Sequence, residues 1–449
     1  NSDWQTFFFI SIITFFIGLV LYFSFRNQVK KIRIREAFFL TILSWIVIAF
    51  FSSLPFVYSS SDLSYTDALF ESISGITTTG ATVIINLDEL NEGILIWRSL
   101  LQWFGGIGII VIALAILPTL QIGGMQLLHM EHDDPYEKTL PKINQFIFQI
   151  FIIYLLATLT CAILYYFFGM NAFDAIAHSL TTISTGGFST YNSSLSNFNS
   201  VNIEIICITF MIIGSLPFVV YLKFLHGNLK SIFQDEQIKV FFYILIFSIL
   251  IMIFWLQKNI QNDLFDSIRI STFNITSILT GTGYTTSNYN VWGGFGFIVM
   301  LSIMFIGGSA GSTTGGIKVF RLLLLFRMAK IQIKKLTHPH GVFITSFNSK
   351  PVGEDTLYSI MVFFFIYIIV FIFSAILLSF FNLDLITALS AAASAISNVG
   401  PGLGDTIGPN GNYSTLEKEA KWILSITMII GRLELFTFLA LILISFWKK

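Results

Sequence analysis

The chain is a succession of long apolar runs separated by short polar breaks. Runs meeting the ~20 predominantly apolar residues of a membrane-spanning helix fall at roughly 4–25, 36–58, 94–119, 143–168, 201–225, 239–257, 292–329, 356–381 and 422–446, the seventh of them interrupted. Between successive pairs of long runs lie shorter stretches that cannot span. Aligned on one glycine, they read DALFESISGITTTGATV (67–83), DAIAHSLTTISTGGFST (174–190), ISTFNITSILTGTGYTT (270–286) and TALSAAASAISNVGPGL (387–403). The shared glycines, Gly80, Gly187, Gly283 and Gly400, are 107, 96 and 117 residues apart. Each interval holds two spanning helices and one half-spanning helix, so the chain is an internal repeat.

Each short stretch opens with about 10–12 helix-compatible residues, ~18 Å of helix, which crosses half of a ~30 Å hydrocarbon layer. It then turns to Thr, Ser, Asn and Gly. Non-helical backbone at membrane depth survives only where protein buries it or where it lines a watery path. The pattern therefore predicts an all-α integral membrane protein. Four tandem helix–pore loop–helix repeats surround one pseudo-fourfold pore, with an extra N-terminal helix. The segments are 1–35 (extra helix and linker), then repeats at 36–119, 143–226, 239–335 (second helix broken) and 356–449.

A cation that sheds its water needs a ring of oxygens, and backbone carbonyls supply one where flexible residues let them turn inward. The expected ion ligands are Thr78, Thr79 and Gly80; Thr185, Gly186 and Gly187; Gly281, Thr282 and Gly283; and Asn398, Val399 and Gly400. No acidic ring occurs in the four loops, which argues against a carboxylate filter, and the C-terminal dipole ends of four half-helices favour a cation. A single such loop would be read as a helix ended by a glycine cap; four in register argue otherwise. Nine residues before the glycines stand Glu71, His178, Asn274 and Ala391. The three polar ones are expected to brace the loop backbone, with tuning of ion binding as the alternative. Ala391 cannot brace, so the fourth loop must be held differently.

The third repeat's second helix is broken by GGSAGSTTGG, with Gly307, Gly308, Gly311, Gly315 and Gly316 at mid-membrane depth. Such a stretch cannot be a stable lipid-facing helix and is the candidate gate below the filter. The missing GK[ST] ending and the apolar flanks argue against the alternative of a phosphate-binding loop. Arg432 falls near the centre of the last run. It is expected either as a cationic barrier on the pore axis, touching the gating loop, or as the partner of Glu434 or another buried acid.

Composition narrows the picture further. Of 449 residues, 55% are hydrophobic and 11% charged, against about 25% charged in soluble domains. The formal net charge is zero, so no basic field points to nucleic acid. Cys161 and Cys207 lie in apolar runs, as buried thiols do. Arg26, Lys30, Lys31, Arg33 and Arg35 put the first loop in the cytoplasm, and Arg327, Lys330, Lys334, Lys335, Lys448 and Lys449 fall on the same side. The 121–142 loop is mixed in charge and neutral to the argument. This parity puts Asn1 outside and leads to the expectation of a further helix before it.

The motifs TTTGATV (77–83), LQWFGGIGIIVIALAILP (101–118), STGGFST (184–190), FIGGSAGSTTGGIKV (305–319), SNVGPGLG (397–404) and GRLELFT (431–437) resemble the TrkH branch of the TrkH/KtrB/HKT superfamily of potassium transporters over essentially the whole chain. The resemblance implies K+ as the bound permeant ion, with no organic cofactor and no enzyme activity in this chain. It also implies a bacterial inner-membrane location, a homodimer with one pore per subunit, and a cytoplasmic nucleotide-binding ring of TrkA type as partner. In that family the glycine-rich loop gates beneath the filter next to the central arginine. Its TrkH branch carries two extra helices before the first repeat; one is visible here. A K+/H+ or K+/Na+ symporter is the alternative, kept open by Glu71, His178 and Glu434, although the repeats run in one direction and only one helix is clearly broken. A membrane enzyme finds no supporting motif.

Overall fold

In a bilayer the backbone must satisfy its own hydrogen bonds, and the apolar runs do so as helices. The first, α1 (Trp4–Phe25), has no buried residue. It is tied down at its start, where Asp3 accepts hydrogen bonds from Ser60 N (3.1 Å), Ser60 Oγ (2.9 Å) and Asn91 Nδ2 (2.9 Å). In this computed structural model residues 3–26, 34–112, 140–228, 230–260 and 263–442 are described. Lys30, Lys31, Arg33, most of the 121–142 loop, Lys448 and Lys449, which entered the orientation argument, lie outside them.

Four units follow. The first is α2 (Ile34–Tyr58), the short helix α3 (Tyr65–Ile76) and α4 (Glu92–Val111). The second is α5 (Leu140–Phe167), α6 (Ala172–Ile183), α7 (Val201–Ser215) and α8 (Phe218–Leu225). The third is α9 (Glu236–Asn259), α10 (Leu264–Leu279), α11 (Gly293–Met304) and α12 (Val319–Thr337). A two-stranded hairpin, β1 (Ser346–Phe347) with β2 (Lys350–Pro351), leads to the fourth: α13 (Glu354–Ser379), α14 (Leu385–Ser397), α15 (Lys418–Arg432) and α16 (Leu435–Ile442). The short helices begin at polar caps. Ser64, Asn171 and Asp384 each accept the N–H three residues on, at 3.3, 2.7 and 3.1 Å.

Each short helix packs between the two long helices of its own unit and also against the inner helix of the preceding unit: α6 on α4, α10 on α7, α14 on α11, and α3 on α15. The last contact closes the ring. Every seam has its own polar tie. Arg98 Nη1 donates to Ser189 O (3.0 Å), Arg269 pairs with Glu204 (2.8 Å), Asn290 Nδ2 donates to Gly404 O (2.7 Å), and Lys421 pairs with Asp67 (2.6 Å).

Two runs expected to be continuous are broken. The 201–225 run bends by 92° between α7 and α8, where Pro217 has no N–H to continue the ladder. The 422–446 run stops at Arg432, and Glu434 sits at φ +62° before α16 starts. Arg432 is therefore the last residue of α15, not a mid-helix residue. With the expected gap after α11, three inner helices are interrupted among the described residues.

The inner helices approach their own short helices through glycine. A Cβ on Gly105 would overlap Ile76 O, one on Gly431 would overlap Ile396 O, and one on Gly214 would lie 2.7 Å from Ile183 O. Gly105→Ala is therefore expected to lower the unfolding temperature of the solubilised protein by several degrees, an overpacking cost of about 1–3 kcal/mol. Gly18→Ala, facing open space in α1, is expected to leave it unchanged or slightly higher; equal shifts for the two would refute the close approach.

Candidate ion-conduction site

Each short helix ends in the same six-residue closure. The N–H of Thr79, Gly186, Thr282 and Val399 bonds the carbonyl five residues back, at Ser74, Thr181, Ser277 and Ser394, over 2.9–3.0 Å. The residue before each, namely Thr78, Thr185, Gly281 and Asn398, is left-handed, with φ +52°, +51°, +69° and +55°, and its N–H bonds three residues back. This is the double hydrogen bond of a helix C-terminus with a left-handed cap residue. The shared glycines are a second left-handed position two residues later, at φ +86°, +76°, +81° and +107°. They are thus not the helix caps. Threonine, branched at Cβ, adopts this conformation only under constraint, and the backbone here is held on all sides.

The four triplets form a closed ring. A Cβ on Gly80 would overlap Gly186 O, one on Gly187 would overlap Thr282 O, one on Gly283 would overlap Val399 O, and one on Gly400 would lie 2.6 Å from Thr79 O. Each glycine thus admits the carbonyl of a neighbouring triplet, in the order first, second, third, fourth and back to the first. Thr78, Thr185 and Asn398 are 1% exposed. Among the described residues, the carbonyls of Thr78, Thr185, Gly281 and Asn398 have no hydrogen-bond donor. Buried carbonyls are nearly always paired. Unpaired carbonyls of this kind, one per unit at the left-handed cap residue and joined in the same triplets by those of Thr79, Thr282 and Val399, have the chemistry of cation ligands. A cavity of about 80 Å³ beyond them is lined by all four glycines.

The residues nine positions earlier hold the strands that leave the ring. Glu71 accepts from Val83 N (2.9 Å) and Thr82 Oγ1 (3.0 Å). His178 Nε2 lies 3.0 Å from Ser189 Oγ, and Asn274 Oδ1 accepts from Thr286 N (3.3 Å). In the fourth unit Ser390, one residue before Ala391, accepts from Leu403 N (2.9 Å) and Ser394 accepts from Gly400 N (3.0 Å). Other braces carry no local signature in the sequence. Gln102 clamps the second loop through Gly186 O (2.7 Å) and Phe188 N (3.0 Å), and Tyr413 Oη donates to Gly400 O (2.8 Å). One signal was available: a glycine recurs in or just after each inner helix, at Gly105, Gly214, Gly307 and Gly431. In the third unit that glycine opens the broken stretch.

The glycine-rich stretch lies directly against the ends of the short helices. Thr313 Oγ1 donates to Gly214 O (2.9 Å), with Ile183 O (3.2 Å) and Thr185 Oγ1 (3.0 Å) also within reach; a Cβ on Gly315 would overlap Ser397 O. Gly311 O accepts from Phe218 N (3.0 Å), so the bend after α7 makes room for it. At its base Ile317 N and Lys318 N donate to Phe305 O and Ile306 O, both at 2.9 Å, closing the stretch into a loop. Arg432 Nη1 donates to Thr313 O (2.9 Å). Glu434 pairs with Arg321 (2.7 Å), not with Arg432. Lys318 Nζ reaches Thr314 O. Among the described residues no group of three or more His, Cys, Asp or Glu comes together as a metal site.

The sequence profile of the cation transport protein family TrkH matches residues 4–447. The chain is 39% identical to the Trk system potassium uptake protein TrkI of Halomonas elongata, covering 92% of this chain and 84% of that one. It is 38% identical to the Trk system potassium uptake protein TrkH of Escherichia coli K12, covering 99% and 92%. The crystal structure of the potassium transporter TrkH from Vibrio parahaemolyticus superposes with a TM-score of 0.91 at 35% identity, over 100% of this chain and 93% of that one. Sequence, repeat architecture and superposition agree, and the chain belongs to the TrkH family of cation transport proteins.

Proposed function

We propose that this chain is the potassium-conducting subunit of a Trk-type uptake system, a multi-pass protein of the bacterial inner membrane that passes K+ through a gated pore and performs no chemical conversion. The observation that carries the reading is the ring of buried carbonyls without donors, at Thr78, Thr185, Gly281 and Asn398. Oxygens of this kind replace the hydration shell of a weakly hydrated monovalent cation, and no carboxylate in the four triplets competes for a divalent one. The potassium named for the relatives agrees with that chemistry. The filter in this reading comprises the four triplets; the 307–316 loop is the gate, and Arg432 holds it while adding a positive barrier beneath the filter. A homodimer, and a nucleotide-binding ring of TrkA type docking near the exposed Lys330, Lys334 and Lys335 of α12, complete the proposed assembly. Coupled symport is the less favoured reading, because Glu71 and Glu434 are each engaged by an arginine and His178 is held between Asp174 O and Ser189 Oγ.

Liposomes holding this protein alone are expected to pass K+ in preference to Na+ down an imposed gradient, with no accompanying change of internal pH; flux that stalls without protons or Na+ would establish coupling instead. Gly80→Ser adds a side chain where Gly186 O sits and strains a φ of +86°, so the K+-to-Na+ permeability ratio is expected to fall at least about tenfold, the equivalent of ~1.4 kcal/mol. An unaltered ratio in the folded variant would sink the filter assignment. Deleting residues 307–316 is expected to raise K+ flux at unchanged fold, because the loop's base is already closed by the Phe305–Ile317 and Ile306–Lys318 hydrogen bonds. Flux equal to or below that of the parent protein would remove the loop as a gate.

A further inference from the structure

A buried arginine is an odd lining for a path taken by cations. Arg98 is 1% exposed, yet it borders the outer cavity together with the four ring glycines. Its guanidinium is engaged on every side. Nε donates to Glu71 Oε1 (2.8 Å), Nη2 to Thr82 Oγ1 (3.2 Å) and Nη1 to Ser189 O (3.0 Å), and the Phe188 ring stacks 4.0 Å from its carbon. It therefore joins the strand leaving the first triplet to the strand leaving the second. Seven residues before Gly214, Gly307 and Gly431, where Arg98 stands before Gly105, the other units have Cys207, Met300 and Leu424. Their braces are His178, Asn274 and Ser390, and in the second unit the Asp174 carboxylate also accepts from Thr190 Oγ1 (2.7 Å) and Tyr191 Oη (2.8 Å), with no arginine in the set. Three of the four loops are thus braced without an ion pair, so bracing alone does not account for the charges of the first. A buried ion pair also adds little stability over a neutral, well-packed alternative, whereas removing one partner leaves a costly lone charge.

We infer that the Glu71–Arg98 pair controls the electrostatic access of K+ to the outer mouth of the filter: Arg98 supplies the many-toothed donor that joins two loops, and Glu71 cancels the positive charge this would otherwise set beside the cation path. The inference rests on the potassium-conduction reading above. Without Glu71, one uncompensated charge at the rim of a low-dielectric cavity repels every approaching monovalent cation. K+ and Na+ are repelled alike, so uptake weakens while discrimination between them survives. A purely structural brace would behave in the opposite way, since a loosened loop loses discrimination.

The test compares E71Q, R98Q and E71Q/R98Q with the parent protein in liposomes, reading KM for external K+ and the K+-to-Na+ ratio, with unfolding temperature as the check on folding. E71Q is expected to raise KM by about tenfold, the size of a unit-charge interaction across roughly 12 Å at an effective dielectric constant near 20. Its ion ratio should stay within about twofold of the parent, and the double variant should return KM to within about threefold. E71Q with the KM of the double variant, or with a collapsed ratio, overturns the inference. Should E71Q yield no folded protein, R98Q decides against the double variant: a KM at or below the double's supports the inference, and a KM above it refutes it. Parent protein that fails to prefer K+ defeats the functional reading itself, whereas a selective parent with charge-insensitive variants defeats this inference alone.

Discussion

The surrounding structure holds buried backbone carbonyls in place without hydrogen-bond donors. A buried carbonyl without a donor costs a few kcal/mol, and the surrounding protein must make every competing arrangement worse. It does so by closing each short helix with the same pair of hydrogen bonds and then reversing handedness twice within three residues. The second reversal falls on a glycine because the neighbouring loop's carbonyl occupies the space of a side chain. Backbone conformation and lateral packing are thus one constraint, and substituting the glycine violates both together.

Around this common ring the four units diverge. The strands leaving the ring are braced by an ion pair, an imidazole, an amide and a hydroxyl in turn, and the seams are tied by unrelated residues. An assembly of four identical subunits would have to repeat each solution four times. A single chain needs only the hydrogen bonds to be made, by whatever side chain is to hand. The asymmetry is most pronounced below the ring, where one inner helix opens into a glycine-rich loop, a second bends at Pro217 to receive it, and a third stops at Arg432 to hold it. The loop therefore depends on three units, though its residues come from one.

The repeat, the half-length helices, the triplets and the glycine-rich break were all legible in the sequence, because each depends on local composition and on glycine at a fixed register. The breaks at Pro217 and Glu434 were not read, for different reasons. Pro217 carried its signal openly but sat inside an apolar run of spanning length. Glu434 has no helix-breaking side chain, and its left-handed backbone accompanies a pairing with Arg321 from 113 positions away. The partners of the buried charges were illegible for a third reason. Arg98 meets Glu71 from 27 positions away and Arg321 meets Glu434 from 113, and nothing local marks such pairs. Glu434, expected as one partner of Arg432, is instead taken by Arg321, and Arg432 donates to Thr313 O of the glycine-rich loop.

The seam that closes the ring joins residues very far apart in the chain. Asn398 donates to Thr79 across 319 positions at 2.9 Å, and Lys421 reaches Asp67 across 354. A growing polypeptide emerges from its amino end and domains fold as they appear. The first unit therefore enters the membrane long before its last neighbour exists, and its triplet stands with one flank unsupported until the final helices are made. Ring closure waits for the fourth unit. An interrupted translation product has three quarters of the ring's wall and none of its closing contacts, so the cell meets the complete conduction path only in the finished molecule.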